Sequence, residues 1–206
     1  MITTVKYPVL PAFAVAAMVA LAGTASAQSS SRQFEAGAQV VSVRSNAFDA
    51  TDIGIGGRFA WRPSRTLGIE AELSMFPGEF PDRGAFSSGR FEGLFGATLG
   101  PQLGRVRPFA SVRPGFTRFN AASEPFACIA IFPPPLSCQL GAGRTLLAVE
   151  LGGGVDIDVA ARSFLRINAG DRLIRYPGPV FDRTTVRDDP YFDHDFRVGI
   201  GGGIRF

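Results

Sequence analysis

The closing stretch from His194 to Phe206 constrains this chain most. Read backwards two residues at a time, one face carries Phe206, Ile204, Gly202, Ile200, Val198 and Phe196; the other carries Arg205, Gly203, Gly201, Gly199, Arg197 and Asp195. Period two is the signature of a β-strand. A long strand that is apolar on one side and charged on the other cannot stay an unpaired edge without inviting aggregation, so it must close a larger sheet. Its length also suits a strand that crosses a bilayer inside a barrel.

Seven earlier stretches alternate in the same way, at 34–43, 53–61, 67–75, 90–99, 107–119, 146–157 and 164–176. The second sets Ile53, Ile55, Gly57, Phe59 and Trp61 against Gly54, Gly56, Arg58 and Ala60. The fifth contains Pro108 and Pro114, which remove ladder donors and predict bulges or incomplete pairing. In the seventh, Asp171-Arg172 breaks the alternation, which suggests a bulge. Connections are read as long after strands one, three, five and seven and short after two, four and six. That asymmetry predicts an all-β, eight-stranded, antiparallel up-and-down barrel with its short turns at one end.

Residues 1–27 read as a cleavable leader: Lys6, then an apolar run from Val9 to Leu21, then Ala25-Ser26-Ala27 before Gln28. That run is shorter than the roughly 20 residues a spanning helix needs, and later apolar runs are broken by Gly, Arg or carboxylates. Residues 28–206 then form one barrel domain. Removing Lys6 lowers the formal charge from +3 to +2, which gives no case for nucleic acid. Every cation left is an arginine, a side chain that keeps its charge in a poorly solvated interior and forks onto carboxylates.

Periodicity alone does not say which face points inward. The interior of an eight-stranded barrel is just wide enough for side chains to fill. The polar faces combine many glycines with Glu35, Arg58, Glu70, Glu72, Arg113, Glu150, Asp156, Arg166, Arg197 and Arg205. These groups are expected to interdigitate as a paired network that plugs the lumen, with the apolar faces outward in lipid.

The terminal Phe206, with Phe196, Val198, Ile200 and Ile204 at alternate positions before it, resembles the C-terminal signal by which bacterial outer-membrane barrels are recognised for assembly. Together with the leader and the eight alternating stretches, it makes the chain similar to the OmpA/OmpX class of small barrels, opacity-type surface proteins included. The resemblance covers almost all of residues 28–206. It implies a monomeric outer-membrane protein in contact with membrane lipid, lipopolysaccharide and the barrel-assembly machinery, whose outer loops carry a structural or adhesin-like role toward an extracellular partner. The chain departs from OmpA itself in lacking a periplasmic peptidoglycan-binding domain.

Cys128 and Cys138, the only cysteines, fall in the longest loop and read as a disulfide in an exported protein. Closing that loop would contribute on the order of 3 kcal/mol. Between them lies the apolar tip Ile129 to Leu136, in which Ile131 and Phe132 are the contact candidates. His194, the only histidine, stands between Asp193 and Asp195. Small barrels of this size include lipid A-modifying enzymes that need a His, a Ser and a carboxylate, but no serine accompanies His194 in its strand. No catalytic, metal or cofactor site is expected. A small-solute or ion channel is the alternative reading.

Overall fold

A computed structural model describes residues 33–78, 89–121, 131–182 and 185–206. The stretch read as a leader (1–27), Cys128 and much of the loop after the third strand lie outside these residues. The elements are β1 (Phe34–Ser45), β2 (Ala50–Trp61), β3 (Leu67–Phe76), β4 (Arg90–Leu99), β5 (Val106–Ala121), α1 (Leu136–Gly141), β6 (Ala142–Asp158), β7 (Ser163–Tyr176), β8 (Val180–Asp182), β9 (Thr185–Arg187) and β10 (Tyr191–Arg205).

Eight of the strands close an antiparallel barrel in the order β1-β10-β7-β6-β5-β4-β3-β2, and β8 with β9 forms a separate small hairpin. The seam is closed by the terminal strand: Phe34 N–H donates to Phe206 O at 3.1 Å, and Phe206 N–H returns to Phe34 O at 2.9 Å. The Phe34 ring stacks on Phe206 and on Phe59. Following lateral neighbours once around, Glu35 leads through Ala60, Glu70, Gly96, Arg113, Glu150, Arg172 and Asp195 to Ser45, ten residues further along the starting strand. That stagger tilts the strands and makes the inward side chains climb as a spiral.

No ladder contains a bulge; every register is constant along its length. The expected break at Asp171-Arg172 is therefore corrected: β7 runs straight through, with Arg172 turned inward and Asp171 outward. Pro114 does interrupt the ladder to β4, which stops at Leu94↔Gly115 and resumes at Ala97↔Val112, while pairing to β6 continues past both prolines. The three short turns are 62–66, 100–105 and 159–162, at what we call the turn end. At the opposite loop end the first connection is shorter than expected, only Asn46–Asp49, because β1 and β2 extend further than their apolar alternation does.

Candidate functional site

Inward residues of the barrel carry buried charge over most of its height. Near the turn end, Glu35 accepts hydrogen bonds from Arg62 at 2.7 Å and Arg205 at 2.8 Å, with Arg58 at 3.4 Å. Asp156 accepts from Arg107 and Arg166, both at 2.6 Å, and Arg62 lies 3.3 Å away. Arg205 also pairs with Asp158. One layer up, Glu70 accepts from Arg58, Arg113 and Arg166 at 3.1, 3.0 and 2.8 Å.

Above it Arg113, Glu72, Arg197 and Glu150 form a closed ring of alternating charge, with Arg113 to Glu72 at 2.8 Å and Arg197 to Glu150 at 3.3 Å. Nearer the loop end Arg172 bridges Glu92 and Asp195, and Arg90 pairs with Asp52 at 3.4 Å while its guanidinium lies 4.4 Å from the Phe76 ring centroid. Each of these arginines except Arg107, whose one carboxylate among the described residues is Asp156, meets carboxylates from two or more strands, so the network fixes how the strands are arranged around the axis.

All ten lumen candidates named from the sequence face inward and join these ion pairs. Eight more partners were not singled out: Asp52, Arg62, Arg90, Glu92, Arg107, Asp158, Arg172 and Asp195. Among the described residues the interior then balances, nine arginines against nine carboxylates. Balance matters because a buried charge left without a partner costs several kcal/mol. Glycine makes room for the stack: a Cβ on Gly170 would meet Glu150 Cγ at 3.1 Å, and one on Gly154 would meet the Phe109 ring at 2.8 Å.

The interior changes character at the loop end. Phe119, Leu136, Leu140, Leu146, Ala148, Ile174, Tyr176 and Val180 form a buried apolar cluster with Ala47, and Phe48, Ala50 and Tyr191 pack against it. Barrel strands β5, β6 and β7, with α1, β8 and the Asn46–Asp49 connection, supply the buried members, and β2, β10 and the same connection the residues packed against them, so the cluster caps the mouth. Gln139 Nε2 donates to Pro179 O at 2.9 Å and Phe181 N–H to Pro134 O at 3.0 Å, tying the α1 loop to the β8–β9 loop. Sequence reasoning missed this cap.

The outer wall is the reverse of the lumen. Ile53, Ile55, Phe59, Trp61, Leu73, Met75, Phe95, Leu147 and Leu151 are exposed on it. Phe196, Val198, Ile200, Ile204 and Phe206, the residues whose pattern resembles an assembly signal, lie along the same outward face of β10. Polar outward residues gather near the loop end: Arg44 pairs with Asp49 at 2.8 Å, and His194 Nδ1 lies 2.7 Å from Asp171 Oδ2. His194 belongs to β10, and its side chain is exposed. Of the loop candidates, Phe132 is 86% exposed and Ile131 46%. Cys138 lies half-buried on α1.

No protein-family profile matches the sequence, and no curated protein does. Solved structures do. The N-terminal β-barrel domain of Pseudomonas aeruginosa OprF aligns at TM-score 0.50 and 10% identity, over 84% of this chain and 97% of that one. Neisserial surface protein A (NspA) aligns at TM-score 0.51 and 12% identity with the same coverage. At such identities the likeness is one of fold: this is a closed, eight-stranded antiparallel barrel similar to small outer-membrane barrels.

Proposed function

We propose that the chain is an integral outer-membrane barrel with a plugged lumen, serving a structural or surface-interaction role through its outer loops. The observation that carries this reading is the coordinated reversal of polarity along the barrel axis. Where the inner face is charged, the outer wall is apolar; where the inner face turns apolar, at Phe119, Ile174 and Tyr176, the outer wall turns polar, at Arg44, Arg118, Arg175 and His194. Water surrounds the loop end and hydrocarbon the rest. On β10 the outward apolar run from Phe196 to Phe206 rises about 25 Å at ordinary strand rise and tilt, the height of a lipid-facing belt.

In this reading residues 1–27 are removed on export, the terminal strand serves recognition by the barrel-assembly machinery, and the monomer sits among outer-membrane lipid and lipopolysaccharide with the loop end outside. Cys128 and Cys138 pair as a disulfide that tethers α1 to the loop before it. A thiol-alkylating reagent should label the unfolded chain only after reduction; labelling without reductant would remove the tether. Ile131 and Phe132 form the contact tip. Alanine at both should abolish binding to a host surface or partner while leaving the barrel intact, and unchanged binding would remove the adhesin role.

The filled interior argues against a channel. Planar-bilayer recordings should show no steady conductance from the wild type, and Glu70→Ala/Glu72→Ala should lower thermal stability and admit ion leakage. Unchanged stability and conductance in that variant would refute the plug. No catalysis is proposed: His194 meets Asp171, its backbone N–H donates to Asp193 Oδ1, and lipid A should be chemically unchanged on overexpression.

A further inference from the structure

Among the described residues the two ends of the barrel differ in charge. At the loop end the signs are mixed: Arg44 with Asp49, Asp171 with His194, and exposed Asp188 and Asp189. At the turn end the three short turns each expose one arginine, Arg65, Arg105 and Arg162, and none of these joins an ion pair among the described residues. The carboxylate beside them, Asp158, is held by Arg205. Going round the barrel the turns alternate with pairs of strands, so the three guanidiniums sit in three quarters of the rim and the β1–β10 seam occupies the fourth.

The backbone fixes these positions. Gly100 N–H donates to Thr66 O at 2.9 Å, Asp158 N–H to Arg105 O at 2.7 Å, Arg205 N–H to Arg162 O at 2.7 Å, and Arg62 N–H to Gln33 O at 2.6 Å. With the Phe34–Phe206 pair these bonds run from turn to turn around the whole rim. Two of the three arginines supply an acceptor carbonyl, so only their side chains remain free to move. Leu103 at 61% exposure and Val159 at 51% put apolar groups in two of these turns, and the exposed aromatic rings of Trp61, Phe34 and Phe206 stand on the same rim at the ends of β2, β1 and β10.

Unpaired guanidiniums interleaved with exposed apolar tips, continuous with an apolar wall, are complementary to a layer that is anionic at one depth and hydrocarbon at the next. We propose that the turn end is a docking ring for anionic phospholipid headgroups of the inner leaflet. Arg65, Arg105 and Arg162 hold phosphodiester oxygens, and Leu103 and Val159 sink to the acyl boundary. Such a ring would fix the depth of the barrel in the bilayer. The inference rests on the membrane-spanning reading.

The test uses the full mature chain reconstituted in phosphatidylcholine vesicles containing a minor fraction of phosphatidylglycerol, with spin-labelled lipids reporting relative association. An arginine near an anionic surface contributes about fivefold at low salt, so the wild type should prefer phosphatidylglycerol about tenfold or more, and added salt should weaken the preference. The triple variant Arg65→Gln/Arg105→Gln/Arg162→Gln should fall to near parity, and the three corresponding Arg→Lys changes should restore most of the preference. The loop-end triple Arg118→Gln/Arg175→Gln/Arg187→Gln, with the same change in net charge, should keep it. Preference surviving in the turn-end triple, or lost equally in the loop-end triple, would overturn the ring. So would a wild type with no lipid preference that instead retains an acidic protein. Failure of the wild type to insert, seen as absent protease protection, would refute the membrane reading itself.

Discussion

From Glu35 up to Arg172 the inward face of the barrel is dominated by arginines and carboxylates, with Val41, Val43, Phe109 and Phe164 packed among them; from Ile174 upward the same face is filled by Tyr176, Phe119, Leu136 and Leu140. The two regions share strands and differ in what lies outside them. Where the proposed membrane placement leaves the cap in water, apolar burial is favourable without regard to direction. In the stack, the wall outside is itself apolar, and an apolar filling would make both strand faces greasy and the unfolded chain prone to aggregate. Paired charge avoids that and adds geometry, since each guanidinium accepts only certain partners and so specifies how strands meet. The cost is sensitivity to loss of a single member.

Breaking one member of the stack should therefore do the most damage. Glu72→Ala leaves Arg113 and Arg197 short of a carboxylate, and we expect a loss of about 3–5 kcal/mol in urea unfolding from bilayers, affecting the whole barrel. The matching change in the cap, Leu140→Ala, should cost about 2–5 kcal/mol by creating a cavity. Its effect should be local: faster hydrogen exchange and protease cleavage at the loop end with the strands below unchanged. Global unfolding of Leu140→Ala would mean that the two regions are not separable.

On the outer wall, Ile200→Arg near mid-belt should cost about 2–4 kcal/mol, against about 0–1 for His194→Arg at the upper edge. Equal costs would misplace the boundary at which the wall changes from apolar to polar. The smallest effect belongs to the exposed Arg44–Asp49 pair: Arg44→Ala should change unfolding by under about 1 kcal/mol.

How far the sequence could be read follows from the range of each signal. Period-two alternation is local, so the eight barrel strands, their two faces and the inward set from Glu35 to Arg205 can be read two residues at a time. Half of the missed charges sit where the alternation was ended too early; the others, Arg90, Glu92, Arg107 and Asp195, lie on the inward parity of stretches already read. Asp52 lies one residue before the second apolar run, Asp158 one after the sixth, and Arg172 at the supposed break in β7. Continuing the inward parity from Arg58 back to Asp52, or from Arg166 on to Arg172, would have found them.

The cap could not be found in this way. α1 has six residues, too few to show a helical period, and Leu136, Leu140 and Val180 come from loops that meet Phe119 and Ile174 only once the barrel is closed. The turn-end arginines were visible as residues; their placement on one rim, without ion-pair partners among the described residues, needed the fold.

Trp61 gives the most direct test of the central claim that hydrocarbon contacts the outer wall, because it is the only tryptophan and stands outward at the turn end, 42% exposed. The mature protein would be reconstituted in phosphatidylcholine brominated near the top of its acyl chains, and its tryptophan emission compared with that in unbrominated lipid. The account predicts strong quenching by the brominated lipid and little by aqueous acrylamide. Emission unaffected by bromine but readily quenched from water would contradict it.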